Sequence, residues 1–279
     1  MKEVSFKTSD DVTLDGFLYE AATPKAITVI HGATGVPVHY YKNFAKWLSK
    51  THSRHVLIYD YRDNNLKSAK ALHASETTMS DWGLKDQPAS TDYMLREFPD
   101  LPLHIIGHSL GGFCIPYHAN NDKIISHTGI NSGAAYWKAH PWNFMIQTIL
   151  FWFLLGPVVV KILGFLPGQI LGMKTHIPKH VYWEWRKWCT HPQFYEPEWG
   201  KTLPQPDLFS FRGKLKLIAC EDDRLIPPAR VKYLEKFFPS AREPEFQILS
   251  PKRYGLKSIG HITIFAKKNS KVWPDLITE

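Results

Sequence analysis

The sequence predicts an α/β fold: a mostly parallel eight-stranded sheet flanked by helices, with a helical cap insertion. Three observations carry that prediction. Short apolar runs such as "AITVIH" (26–31) and "LHIIG" (103–107) lack polar alternation, as strands covered on both faces do. They alternate with helically spaced segments, the rhythm of a doubly wound sheet. The rhythm breaks once: between Gly133 and Lys214 about eighty residues contain no clear strand.

Taken in order, "EVSFK", a "TSDD" turn and "TLDGFLYE" read as an opening hairpin, alternating apolar and polar residues. The buried strand 26–31 ends in "HGATG", and "YYKNFAKWLSK" follows with helical spacing. "HVLIYDY" (55–61) is the next buried strand, and a helix containing "ASTDYMLREF" leads to Pro99. After strand 103–107, "LGGFCIPYHAN" is expected to continue as a helix. "IISHTGIN" (124–131) and "KLKLIAC" (214–220) are further strands. "PARVKYLEKFF" is a helix, "EFQIL" a strand, and the tail after His261 is expected to be helical. This divides the chain into a core domain, 1–133 with 214–279, and a helical cap insertion, 134–213.

Composition narrows the function classes. With 279 residues, 44% hydrophobic and 22% charged, the chain can bury a sizeable core. Its net charge of +8 is dispersed, without a basic helix or zinc-finger spacing, so no nucleic-acid partner is expected. Cys114, Cys189 and Cys220 are odd in number and far apart, which reads as reduced thiols in a cytoplasmic protein. The N-terminus lacks the continuous apolar stretch of a signal peptide.

The chemistry centres on Gly107-His108-Ser109-Leu110-Gly111, a G-x-S-x-G pattern between an apolar strand and an apolar segment. In that pattern the serine sits on a sharp turn with its side chain above the sheet. The glycines are needed because the turn brings backbones too close for a Cβ. The helix start expected after Ser109 supplies unpaired N–H groups and positive partial charge for an oxyanion.

A serine nucleophile needs a base, and the chain order here runs serine, acid, histidine. After Asp223 the sequence holds one histidine, His261 in "SIGHITIF". The acid should leave the end of a core strand, and "LKLIAC" ends in Glu221-Asp222-Asp223. Asp223 is the choice and Asp222 the alternative. The acid fixes the histidine tautomer and stabilises the imidazolium. Leu110 N–H and Ala33 N–H, in the His31–Gly35 loop, are the expected oxyanion donors. His31 is expected to pack beneath that loop rather than act as a base.

Within the insertion, Phe144–Val160 is seventeen residues without a charge, just short of the roughly 20 apolar residues of a membrane span. It is expected to form two cap helices broken at Gly156-Pro157. Their inner faces would line an acyl pocket. The outer face, near Trp142, Phe151, Trp152 and Phe153, would touch lipid, giving a peripheral membrane association.

"HGATG", "YDYRDNN", "GHSLGG", "EDDRLIPP" and "IGH", in this order, resemble the α/β-hydrolase superfamily, and within it the serine-aminopeptidase-like and monoacylglycerol-lipase-like branch. "SDWGLKD", "RKWCTHP" and "YGLKSIGHITIF" are similar to a bacterial group of predicted α/β hydrolases. One departure stands at Asp60-Tyr61-Arg62-Asp63-Asn64-Asn65, where the branch often has D-x-R-G-x-G on the active-site rim. The resemblance implies a serine hydrolase acting on a small-molecule or lipid-like acyl ester or thioester, without metal or organic cofactor. A peptidase, with Glu184, Glu196 or Glu198 aimed into the cleft, is the alternative. A non-catalytic binding or membrane-docking protein on the same scaffold is the rival class.

Overall fold

The computed structural model describes residues 1–168, 172, 173 and 175–278. Ten strands are described: β1 (Lys2–Lys7), β2 (Thr13–Tyr19), β3 (Ala26–His31), β4 (Arg54–Tyr59), β5 (Leu103–His108), β6 (Ile124–Ile130), β7 (Phe165–Leu166), β8 (Ile177–Pro178), β9 (Lys214–Cys220) and β10 (Arg242–Leu249). Eight form one sheet in the order β1-β2-β4-β3-β5-β6-β9-β10. β1–β2 and β2–β4 pair antiparallel; from β4 to β10 every neighbour is parallel. The eight expected strands are thus the eight of the sheet, and β7–β8 is a small separate hairpin.

The central strands bury every residue because each face is covered. Side chains alternate along β5, so Ile105 joins one core layer with Val29 and Leu217, and Ile106 joins the other with Ile30 and Ile218. The C-terminal ends of β3, β5, β6 and β9 therefore converge on one edge, where the connecting loops meet.

Three local expectations are corrected. The segment after Ser109 is not a helix but two short 3-10 turns, Ser109–Gly112 and Ile115–Tyr117. Gly111 and Gly112 lie hard against His31 and Ser132, and Pro116 withdraws an N–H, so a regular helix does not propagate. Likewise Pro228–Lys232 is α-helical only briefly before a 3-10 turn, and the tail after His261 is 3-10 throughout its helical stretches.

The third correction concerns the insertion. Trp142–Leu163 is one continuous rod of 22 residues, not two helices broken at Gly156-Pro157. A π-turn over Leu150–Leu155 widens the rod just before Pro157. The carbonyls it loosens find new donors on the helix Lys179–Thr190: Tyr182 Oη reaches Phe151 O at 3.2 Å, and Arg186 Nε reaches Trp152 O at 2.5 Å. The rod is long and apolar enough to cross a membrane. Yet it lies between β6 and β9, which are hydrogen-bonded neighbours. A single crossing would put two adjacent strands on opposite sides of a bilayer. No second such helix exists among the described residues.

Candidate active site

Ser109 directly follows β5 with φ at 53°, a left-handed conformation a serine adopts only under constraint. The constraint is visible. A Cβ at Gly107 would overlap the Gly111–Gly112 backbone, and one at Gly111 would overlap the His31 carbonyl. Ser132 Oγ donates to the Ser109 carbonyl at 2.6 Å and holds the turn from the end of β6.

His261 reaches the site on the loop after β10. Its Nδ1 lies 2.7 Å from Asp223 Oδ2. Both side chains are shielded, with 9% and 0% exposed. The other oxygen of Asp223 accepts from Leu225 N–H (2.8 Å) and Ile226 N–H (3.2 Å), so the carboxylate is held at both ends. Asp222 does a different job: it accepts from the Ile259 and Gly260 amides at 2.9 and 3.0 Å, just ahead of His261. The pair left open by sequence is thus divided by contact, Asp223 on the imidazole and Asp222 on the loop backbone.

Ser109 and His261 line one cavity of about 690 Å³ with Leu110, Ala33 and Thr34. No hydrogen bond joins Ser109 Oγ to His261 Nε2 among the described residues. Such contacts often tighten only when substrate binds. Leu110 N–H stands at the start of a 3-10 turn, ahead of its first internal bond, and is free to donate.

Ala33 is where the structure departs from expectation. Its N–H donates to Tyr41 Oη at 2.8 Å, away from the cavity and into the core. The next residue, Thr34, lines the cavity, and its N–H has no bonded partner among the described residues. His31 lies beneath the loop, fully buried, with Nδ1 2.8 Å from the Tyr59 hydroxyl. Burial pushes its pKa well below the usual histidine value.

The loop Asp60–Asn65 anchors the segment after β3 rather than lining the cavity. Asp60 accepts from Val38 N–H at 2.9 Å, and Asn64 Nδ2 donates to the Val36 carbonyl at 3.2 Å. Residues not singled out by sequence also serve the site. Asn131 bridges the His261 carbonyl (3.2 Å) and the Cys220 amide (2.9 Å), and His140 lines the cavity. The strand end "GINSG" (129–133) carries Asn131 and Ser132, small polar residues without a catalytic pattern of their own.

Most of the rest of the cavity wall is apolar, with Phe144, Phe151, Trp152, Val159, Trp185 and Phe194 from the insertion, and Gln147, Thr148 and Thr263 add uncharged polar groups. No Asp, Glu, Lys or Arg lines it among the described residues. The insertion's carboxylates are spent elsewhere. Glu184 accepts from Ser80, Glu196 meets Tyr233 and Lys236, and Glu198 meets Lys187 and Thr202.

No curated protein matches the chain by sequence. Among solved structures, an esterase from Pyrococcus furiosus is 17% identical at a TM-score of 0.59, covering 98% of this chain and 88% of its own. The esterase domain of a Rhodothermus marinus protein is 16% identical at 0.56, covering 99% and 95%. Mouse alpha/beta hydrolase domain-containing protein 10 is 15% identical at 0.56, covering 96% and 94%. At these identities the likeness shows a shared fold. The sequence model of the alpha/beta hydrolase family matches residues 29–251, most of the chain, from within β3 to the end of β10. The chain belongs to the alpha/beta hydrolase family.

Proposed function

We propose that this chain is a serine hydrolase that cleaves a carboxylic ester or thioester with an apolar acyl group, through an acyl-enzyme. The observation that carries the reading is the 2.7 Å contact of His261 with Asp223 beside a strained Ser109, in a cavity that no Asp, Glu, Lys or Arg lines among the described residues. Ser109 Oγ attacks the acyl carbon while His261 takes its proton. Asp223 holds the imidazole in the tautomer that leaves Nε2 free, and stabilises the imidazolium. Leu110 N–H and Thr34 N–H hold the oxyanion, the second replacing the donor expected at Ala33. Collapse releases the alcohol or thiol with the proton from His261. Water, deprotonated by the same imidazole, then frees the acid.

The peptidase alternative needs a carboxylate aimed at the substrate amine, and the lack of any carboxylate in the cavity wall among the described residues weighs against it. In this reading residues 134–213 are the cap and 1–133 with 214–279 the core. Each additional buried methylene contributes about 0.8 kcal/mol, so kcat/KM should climb from acetyl to octanoyl esters. A flat series would remove the acyl pocket. Ser109→Ala should fold and lose both esterase turnover and labelling by a fluorophosphonate probe. Turnover near wild type would overturn the assignment.

The cap also carries a membrane contact in this reading. The rod's outer face exposes Trp142, Ile146, Leu154, Val158 and Ile162, while its inner face lines the cavity. From 134 to 183 the sequence has Lys138, Lys161, Lys174 and Lys179 and no Asp or Glu. An apolar face in a stretch of sequence that is basic and free of carboxylates fits an anionic lipid surface.

A further inference from the structure

Behind Ser109, with its middle members away from the cavity, runs a chain of hydrogen bonds that the proposed reaction does not use. It begins at the Ala33 N–H, 2.8 Å from Tyr41 Oη. Tyr41 Oη lies 2.8 Å from His108 Nδ1, and His108 Nε2 lies 2.9 Å from the carbonyl oxygen of His261. An amide can only donate, so the tyrosine oxygen accepts there and its single proton goes to Nδ1. That leaves the imidazole proton on Nε2, the one tautomer able to donate to a carbonyl. Every proton in the chain has one place, and all point one way.

The surroundings hold the chain rigid. Tyr41 and His108 are 2% and 0% exposed, and Phe265 packs on both rings at 5.2 and 4.9 Å. Burial pushes the His108 pKa well below the usual histidine value, so the imidazole stays neutral and keeps an acceptor for Tyr41. Neither residue lines the cavity.

We infer that Tyr41 and His108 are positioning residues that tie the oxyanion loop to the His261 loop through the strand end bearing Ser109. The two loops come from opposite ends of the chain and flank the bond to be cleaved. Fixing Ala33 from below sets the direction of the Thr34 amide. Gripping the His261 carbonyl sets where its ring stands over Ser109. The inference rests on the serine-hydrolase reading.

Its test is a double-mutant cycle on the full chain with a soluble ester. Tyr41→Phe keeps the ring packing and deletes only the hydroxyl. Because small misplacements of reacting groups are costly, kcat should fall about 10- to 100-fold with KM within about twofold. His108→Phe should do the same. The double variant should be no worse than the lower single, since one break already interrupts the chain. His108→Gln, which keeps an amide donor toward the His261 carbonyl, should recover much of the loss. Should His108→Phe fail to fold, Tyr41→Phe against His108→Gln carries the cycle. Folded variants with wild-type kcat, losses that multiply independently, or losses confined to KM would each overturn the inference. Ser109→Ala in parallel separates this from failure of the underlying reading, because only that failure leaves the Ser109 variant active.

Discussion

At the end of β9 two adjacent carboxylates differ by what they hold. Asp223 touches the imidazole of His261, and Asp222 touches only backbone amides of the loop that presents it. Loss of an orienting carboxylate can cost about 10⁴-fold. Asp223→Asn should therefore lower kcat by roughly that factor, measured with a chromogenic ester. Asp222→Asn still leaves a carbonyl oxygen for one amide and should cost far less; a larger loss at Asp222 would reverse the two roles. Sequence reached this pair because acid and histidine follow the serine in a fixed order and only one histidine remained downstream. It preferred Asp223 and kept Asp222 as the alternative, since how the strand end turns is set by tertiary packing. Nor did it show where the Ala33 amide points, because Tyr41 approaches through tertiary packing.

The elements most readily read from sequence were the strands, since a buried parallel strand announces itself as an uninterrupted apolar run. Helices shaped by contact were not legible. The turn after Ser109 looked apolar enough for a helix, but its glycines serve close packing instead. In the rod, Pro157 carried a strong breaking signal that Tyr182 and Arg186, some thirty residues on, cancel by capping the loosened carbonyls. The repair is tightly built. A Cβ at Gly156 would overlap the Tyr182 hydroxyl and the Phe151 carbonyl. Gly156→Ala should destabilise the protein by about 1–3 kcal/mol, read from urea unfolding, despite alanine's higher helix propensity. On the opposite face, Leu154 and Val158 are about half exposed, at 55% and 49%. Replacing both with Glu should abolish sedimentation with anionic liposomes while leaving turnover of a soluble ester close to wild type. Sedimentation that persists would place the lipid contact elsewhere.

Across the whole molecule, burial keeps a set of histidines neutral. Desolvation brings His118 down to about 3 and His127 to about 4, and holds His31 and His108 well below the ordinary 6.5. An unfolded chain takes up these protons near pH 6.5 while the folded one does not, so their contribution is complete above that pH and is lost as pH falls. Each adds a slope of up to about 1.4 kcal/mol per pH unit below 6.5. Asp86, raised to about 7 by burial against the pull of Arg62, works in the opposite direction and offsets one of them. The urea midpoint should therefore drop between pH 7 and pH 5, and His118→Gln should flatten the dependence. An unchanged midpoint would contradict this account.

The position of the rod between β6 and β9 also fixes an order of events. During synthesis the most apolar stretch of the chain leaves the ribosome before β9 and β10 exist. The sheet is then open at β6, and the partner helix Lys179–Thr190 has yet to emerge. Strands joined across so long a connection assemble slowly. Until the helix Lys179–Thr190 follows, the rod lacks the donors that satisfy its π-turn. The nascent chain thus passes through a state in which its greasiest helix is its least protected one. Refolding from denaturant should accordingly lose yield as protein concentration rises, and a mild detergent or a holding chaperone should restore it.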